Sequence, residues 1–121
     1  MPCDFLMVQV YDKIVLAKVM KERLLDPASI ASLSEGLSEL VDRHPRISLV
    51  IDAADIGYLS SAMLGKLVAL YKAIKVAKGR IAMGGVKPQL MPLFKVTQID
   101  KLMPFFNDAG QAVTEFRRSP L

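Results

Sequence analysis

The sequence predicts an α/β fold, with a mixed, mainly parallel sheet that opens on an N-terminal β-hairpin and carries about four helices. Two Val-rich runs near the N-terminus are separated by only a few residues, which is typical of a hairpin. Each later strand-like run is separated from the next by a helical pattern, so these strands require crossover connections and favour parallel pairing. The predicted element order is ββαβαβαβα.

Length and composition favour one domain spanning residues 1–121. A hydrophobic fraction of 52% excludes a disordered chain, and no apolar run approaches the roughly 18 residues of a membrane-spanning helix. Residues 1–4 lack the basic and apolar regions of a secretory leader, so we expect a soluble, cytoplasmic protein without membrane insertion. Cys3 is the only cysteine; no internal disulfide can form, and its terminal position argues against a structural role.

The first half of the chain contains the hairpin, a helix and a buried strand. Residues 5–10 and 14–20 are the predicted hairpin strands. Asp26 precedes Pro27 as an N-cap does, and an apolar stripe at helical spacing follows. Residues 47–54 form a short continuous apolar run, which is typical of a parallel strand buried on both faces and predicts the centre of the sheet.

The second half continues the alternation of strands and helices. After a turn at residues 55–59, apolar residues at spacings of three and four predict a helix with Gly79 as its C-terminal cap. The remaining predicted elements are a strand at 81–86, a short helix at 88–96, an edge strand at 102–106 limited by Pro104, and a helix at 109–117.

A loop at residues 54–61 follows the predicted central strand and opens the next helix. Functional groups gather at such loops, because the carboxyl ends of parallel strands and the N-termini of helices meet there. Ser60 and Ser61 lie at the helix start. Their hydroxyls cap the first turn, or a phosphate on Ser60 adds about two negative charges to an exposed surface and repels a partner.

Three acidic residues near this loop are open to two interpretations. Asp26, Asp52 and Asp55 lie at predicted strand or loop ends on the side of the serines. They flank a functional surface, or Asp26 caps a helix while the other two accept hydrogen bonds within turns.

The residues around the loop resemble the STAS family, named after sulfate transporters and anti-sigma factor antagonists. The resemblance rests on LVIDAADIGYLSSA at residues 49–62 and extends to GRIAM at residues 79–83 and LFKVTQIDKL at residues 93–102. Asp26 falls where the family often has an acidic residue at the end of its second strand. The resemblance covers nearly the whole chain and implies a single STAS-like domain.

The resemblance also implies a function: a phosphorylation-regulated anti-sigma factor antagonist that is not an enzyme and needs no cofactor. Its expected partners are an anti-sigma factor that is also a serine kinase of the GHKL type, and a phosphatase that resets the switch. The antagonist binds the kinase while Ser60 is unphosphorylated, and we expect a monomer in the free state. Ser60 is the implied phosphorylation site, with Ser61 as the alternative. The expected partner-binding residues are Asp26, Asp55, Tyr58, Leu59, Ser60, Ser61, Met63 and Leu64.

Two departures from the family pattern keep a second interpretation open. Leu59 lies where the family usually has Asp before the serine. The family's Ser-Gly-Leu-Gly becomes Ser-Ala-Met-Leu at residues 61–64, with Gly65 shifted by one. The alternative is a STAS scaffold or ligand-binding module in a signalling or transport complex, without a phosphorylation cycle.

Other classes of function have less support. One His and one Cys, far apart in sequence, provide neither a nucleophile with a base nor a metal cluster. Gly84 and Gly85 lack the spacing of a phosphate-binding loop and predict a tight turn. The net charge of +4 is spread along the chain without interleaved aromatic residues, so we expect no nucleic-acid partner. A basic surface on Lys72, Lys75 and Lys78 stays open as a salt-dependent alternative.

Overall fold

The computed structural model describes residues 3–121. The strands are Leu6–Tyr11 (β1), Ile14–Val19 (β2), Arg23–Leu24 (β3), Ser48–Asp52 (β4), Tyr58–Leu59 (β5), Arg80–Gly84 (β6) and Phe105–Phe106 (β7). The helices are Pro27–Arg43 (α1), Ser61–Val76 (α2), Met91–Val96 (α3) and Ala109–Arg118 (α4), with a 3-10 helix at Ile99–Lys101. In this part of the chain, five strands form one sheet in the order β1-β2-β4-β6-β7, and β3 pairs with β5 separately.

The main sheet confirms the predicted fold class and topology. β1 and β2 form an antiparallel hairpin, whereas β2, β4, β6 and β7 pair in parallel. α1, α2 and α3 connect successive parallel strands, and α4 follows the last one. β4 occupies the centre because its apolar residues are buried on both faces of the sheet.

Two clusters of buried side chains join the helices to the sheet. The larger cluster lies on one face and includes Leu37 of α1 and Phe94 of α3. The smaller lies on the opposite face, where Phe116 belongs to α4. Ile51 contributes to the larger cluster and its neighbour Val50 to the smaller, as the alternation of side chains along a strand requires. The layers are therefore helix, sheet and helix.

The start of α1 confirms the predicted capping signal. Asp26 accepts a hydrogen bond from the Ser29 amide at 2.9 Å, and Pro27 is the first helical residue. Pro27 costs the helix nothing there, because a first-turn amide has no partner within the helix.

The end of α2 differs from the prediction. Lys78, and not Gly79, adopts the left-handed conformation, with a φ of 63°. The Gly79 amide then donates to the Ile74 carbonyl at 2.9 Å, which closes the helix. A Cβ at Gly79 would lie 2.4 Å from the Ile47 carbonyl oxygen, so glycine is required by close packing against the start of the neighbouring strand.

The last strand is shorter than predicted. Only Phe105–Phe106 pairs with β6 at the sheet edge, because residues 102–104 follow the 3-10 helix in a turn. Pro104 has no amide hydrogen to donate, although its carbonyl accepts from the Met83 amide at 3.0 Å.

Cys3 is buried, contrary to the expectation from its position. It is 5% exposed and belongs to the larger core cluster. A Cβ added at Gly36 of α1 would lie 3.3 Å from the Cys3 Cβ, which shows how closely this segment packs on the helix. Met1 and Pro2 lie outside the described residues.

Among residues 3–121, the structure has no helix with the length and hydropathy that crossing a membrane would require.

Candidate functional site

The loop before α2 is held on one side by the small sheet of β3 and β5. Arg23 pairs with Tyr58 and Leu24 with Leu59 in a parallel ladder. The Ser60 amide extends this ladder by donating to the Leu24 carbonyl at 3.2 Å. The turn predicted at residues 55–59 thus contains a short strand, which the sequence does not reveal because two-residue strands carry no hydrophobic period.

Gly57 allows the close approach that this pairing needs. Its amide and that of Tyr58 both donate to the Glu22 carbonyl, at 2.8 and 3.0 Å. A Cβ at Gly57 would lie 3.2 Å from the Glu22 Cγ, which is a tight contact. The segment before Ser60 is therefore fixed to the chain that precedes α1.

The other side of the loop contacts the end of β6. The Ala53 amide donates to the Gly84 carbonyl at 2.8 Å, and Lys87 Nζ donates to the Ala54 carbonyl. Gly85 has a φ of +75° and lies against Ala54, so the glycine pair makes the tight turn that the sequence predicts. Both sides of the loop are thus braced by backbone hydrogen bonds.

Ser60 is the N-cap of α2. Its Oγ accepts a hydrogen bond from the Met63 amide at 3.3 Å, and its carbonyl accepts from the Leu64 amide at 3.2 Å. The hydroxyl is half-buried and lies at the positive end of the helix dipole. Ser61 is the first helical residue and is exposed, so only the first serine of the pair has the capping geometry.

Of the predicted partner-binding residues next to the serine pair, two are at least partly exposed and two are buried. Tyr58 is 47% exposed and Leu59 is half-buried. Met63 is 1% exposed and Leu64 4%, because both face the larger core cluster from the first turn of α2. Their side chains are therefore out of reach of a partner, in contrast to the prediction that they bind one.

Two of the three acidic residues near the loop have the structural roles that the sequence left open. Asp26 caps α1, and the backbone hydrogen bond from Ser29 holds the pKa of its carboxyl below the usual value of 3.8. Asp52 accepts from the Ala54 amide at 3.1 Å within the turn after β4. Asp55 is exposed in that turn.

Two further residues belong to this surface and were missed in the sequence. The Arg23 guanidinium lies over the Tyr58 ring at 4.6 Å, a cation–π contact between the two short strands. Leu25 follows β3 and is 40% exposed. Only the β3–β5 pairing brings these residues to the serine. The Ser60 surface is defined here as Arg23, Leu25, Asp26, Tyr58, Leu59, Ser60 and Ser61.

The interior beneath this surface leaves little room for a small molecule. A cavity of about 20 Å³ lies under the loop and is lined by apolar side chains that include Leu24, Leu59 and Phe94. That volume is of the order of one water molecule, and the lining offers it no polar partner. In residues 3–121, no group of three His, Cys, Asp or Glu side chains is arranged to hold a metal ion. Ser60 therefore lies on a braced, partly apolar surface and not in a pocket of small-molecule size.

Comparison with known sequences identifies the class. A family model described as Mlab, STAS domain matches residues 24–104. An anti-sigma F factor antagonist from Paenibacillus polymyxa is 25% identical over 79 residues, which are 65% of this chain and 68% of that protein.

Solved structures share the fold. An anti-sigma factor antagonist from Mycobacterium paratuberculosis has a TM-score of 0.79 at 23% identity, covering 93% of this chain and 92% of that one. The Bacillus cell fate determinant SpoIIAA in its phosphorylated form has a TM-score of 0.73 at 12% identity, covering 93% and 99%.

The chain therefore belongs to the STAS family. The relative from Paenibacillus polymyxa and the structure from Mycobacterium paratuberculosis are named anti-sigma factor antagonists, and members of this type are regulatory binding proteins.

Proposed function

We propose that this chain is an anti-sigma factor antagonist whose binding to an anti-sigma factor is switched off by phosphorylation of Ser60. The observation that carries the proposal is the Ser60 hydroxyl itself, half-buried at the N-terminus of α2 and bordered by exposed Leu25 and Tyr58. Support comes from the relatives, one of which is named an anti-sigma F factor antagonist and another of which is known in a phosphorylated form.

A phosphate on Ser60 is compatible with the folded structure but unfavourable for binding a partner. It adds about 1.5 to 2 negative charges at neutral pH, and the positive end of α2 stabilises that charge. The helix therefore stays folded. Leu25 and Tyr58, in contrast, then border a hydrated dianion, and a partner that buries them must desolvate it. Phosphorylation lowers affinity through this desolvation cost.

The proposed partner is an anti-sigma factor that is also a serine kinase of the GHKL type, and a phosphatase restores the unphosphorylated state. This chain supplies the hydroxyl that receives the phosphoryl group. Catalytic groups for the transfer belong to the kinase, and those for hydrolysis belong to the phosphatase.

Leu59 favours a second candidate, a STAS scaffold without a phosphorylation cycle. The residue is half-buried, packs against the larger core cluster and pairs with Leu24 across the small sheet. Because a leucine stands here, the surface lacks the carboxylate that the family's aspartate would place beside the serine hydroxyl.

A capture experiment separates the two candidates. Immobilised wild type, Ser60→Ala and Ser60→Asp are incubated with lysate of the source organism, and retained proteins are assayed for ATP-dependent serine kinase activity. The switch predicts kinase activity on wild type and Ser60→Ala and at least about tenfold less on Ser60→Asp. Equal retention by Ser60→Asp, together with stable higher assemblies in size-exclusion chromatography, supports the scaffold and contradicts the switch.

A further inference from the structure

A cleft of about 680 Å³ lies at the end of the sheet opposite to Ser60. Parallel strands β4 and β6 begin here with Ser48 and Arg80, whereas Ser60 follows the carboxyl end of β4. The walls also come from the β1–β2 turn, the α1–β4 connection and the end of α4. The volume is within the range of about 300 to 1,000 Å³ that small-molecule sites occupy.

The lining carries most of the net charge of the protein. It contains four cationic side chains and one carboxylate, and its net charge of +3 compares with +4 for the whole chain. The charged lining residues are Lys13, Arg46, Arg80, Arg117 and Asp12. They come from four separate segments, so the basic residues look evenly spread in the sequence and meet only in the folded chain.

Arg80 is held in a fixed orientation in this cleft. Its Nε donates to Ser48 Oγ at 2.9 Å, and its two terminal nitrogens donate to the carbonyls of Phe116 and Ser119. The guanidinium also lies 4.2 Å from the Phe116 ring. All these partners are neutral, and none of the ion pairs found in residues 3–121 includes Arg80. A guanidinium has five N–H groups, so two remain beyond these three bonds.

The preference for cations at the C-terminal end of a helix accounts for only two of the four cations in the cleft. Arg117 lies in the last turn of α4, where the dipole favours a cation, and Arg80 binds carbonyls at the same helix end. Lys13 lies in a hairpin turn and Arg46 in a loop, and both are exposed. Arg46 has a φ of 54°, a conformation that suits glycine or asparagine better than arginine. The helix dipole therefore does not account for the cations at positions 13 and 46.

We propose that this cleft binds a phosphorylated small molecule carrying at least two negative charges. Guanidinium groups match phosphate oxygens in paired hydrogen bonds, and Lys13 adds a mobile point charge. The exposed apolar side chains of Val10, Pro45 and Pro120 provide a wall for the organic part of the ligand. The site is at the other end of the sheet from Ser60, so failure of this proposal leaves the phosphorylation proposal unaffected.

Calorimetric titration at low ionic strength tests the site, with pyrophosphate and ADP as probes. The informative variant is Lys13→Gln with Arg46→Asn, because asparagine tolerates the left-handed backbone at position 46. The matched control is Lys95→Gln with Lys101→Gln, which removes the same charge from exposed positions outside the cleft. Wild type and control are expected to bind, and the cleft variant to bind at least about tenfold more weakly.

A second arm identifies the source of the phosphate. Sedimentation with phosphatidylcholine vesicles, with and without phosphatidic acid, distinguishes a lipid headgroup from a free ligand. Binding to the acidic vesicles that the cleft variant loses assigns the phosphate to a lipid. Absence of binding by every phosphate probe, or equal loss in both double variants, overturns the proposal. Binding of polyglutamate without binding of any phosphate probe also overturns it and assigns the cleft to an acidic protein segment.

Discussion

Ser60 combines a structural and a proposed regulatory role in one hydroxyl. Its Oγ accepts from the Met63 amide and thereby caps α2, while the same atom is the proposed acceptor of the phosphoryl group. A substitution at this residue changes folding and switching together. Aspartate separates the two effects, because its carboxylate also caps helices well and carries negative charge.

Stability measurements on the serine pair test the capping geometry. Ser60→Ala removes the cap and is expected to lower the free energy of unfolding by about 1 kcal/mol. Ser61→Ala is expected to change it by less than about 0.5 kcal/mol, because this exposed side chain makes no capping bond. Urea unfolding followed by circular dichroism measures both. Equal losses from the two variants would contradict the assignment of Ser60 as the cap.

The cap at Asp26 predicts a pH dependence. The folded-state pKa of this carboxyl is lowered from 3.8 by the backbone hydrogen bond from Ser29, so its stabilising effect is present above pH 3.8. The effect is lost as the pH falls through the folded-state pKa. We expect wild type to exceed Asp26→Ala in thermal midpoint at pH 6 and the difference to shrink below pH 3.8. A difference that is constant down to pH 2 would contradict this role.

The role of a residue was predictable from the sequence where it depends only on residues close by in the chain. Capping was one of the two roles that the sequence left open for Asp26 and Ser60, because a cap bonds to an amide three residues further along the chain. The spacing of Met63, Leu67 and Leu70 places Met63 on the buried stripe of α2, whereas the family resemblance assigned Met63 and its neighbour to the binding surface. The burial of Cys3 has no local signal, since it comes from contact with α1.

Among the secondary-structure elements, the small β3–β5 sheet determines which side chains lie next to Ser60. It places the exposed Tyr58 ring and the Arg23 guanidinium on the same side of the protein as Ser60. Tyrosine and arginine are the residue types most often found to dominate binding energy at protein interfaces. Both side chains are exposed, in contrast to Leu24 of the same small sheet, so they can be changed without disturbing the core.

Tyr58→Ala tests this interface directly. We expect at least about a fivefold loss of affinity for the captured anti-sigma factor, with an unfolding free energy within about 0.5 kcal/mol of wild type. Tyr11→Ala is the matched control, because Tyr11 is also an exposed tyrosine on a strand but lies next to the opposite end of the sheet. Surface plasmon resonance measures both, and similar losses of affinity would remove Tyr58 from the proposed interface.

Two glycines at the ends of α2 give opposite predictions. A Cβ at Gly65 meets no atom within 4 Å, so Gly65→Ala is expected to stabilise the protein by about 0.5 to 1 kcal/mol through helix propensity. A Cβ at Gly79 would meet the Ile47 carbonyl oxygen at 2.4 Å, so Gly79→Ala is expected to destabilise by about 2 kcal/mol or more. Chemical unfolding measures both, and a stable Gly79→Ala protein would contradict the packing described for that turn.

The main elements were predictable from periodicity, whereas the short ones were not. The hairpin, the central strand and helices α1, α2 and α4 follow from apolar spacing and capping residues. The two-residue strands β3 and β5 depend on pairing between residues 23–24 and 58–59, which no local pattern reports. The last strand was overextended, because the apolar residues before Pro104 belong to a turn.

At the scale of the whole molecule, the two ends of the sheet carry different chemistry. The carboxyl end presents the capped serine among partly apolar side chains, and the amino end collects cations around a cleft. The sequence identified the first end, because its residues are contiguous with the central strand. The second end brings together residues from 10 to 121, and only the completed fold juxtaposes them.

Phosphopeptide mass spectrometry shows whether Ser60 receives a phosphoryl group from a partner kinase, as we propose. Wild type, Ser60→Ala and Ser61→Ala are incubated with lysate of the source organism and ATP before digestion. We expect phosphate on Ser60 in wild type and Ser61→Ala. We expect no phosphate on the peptide that contains both positions in Ser60→Ala. Phosphate on Ser61 alone, or no phosphate on Ser60 while other proteins of the lysate are phosphorylated, would contradict the claim and favour the scaffold.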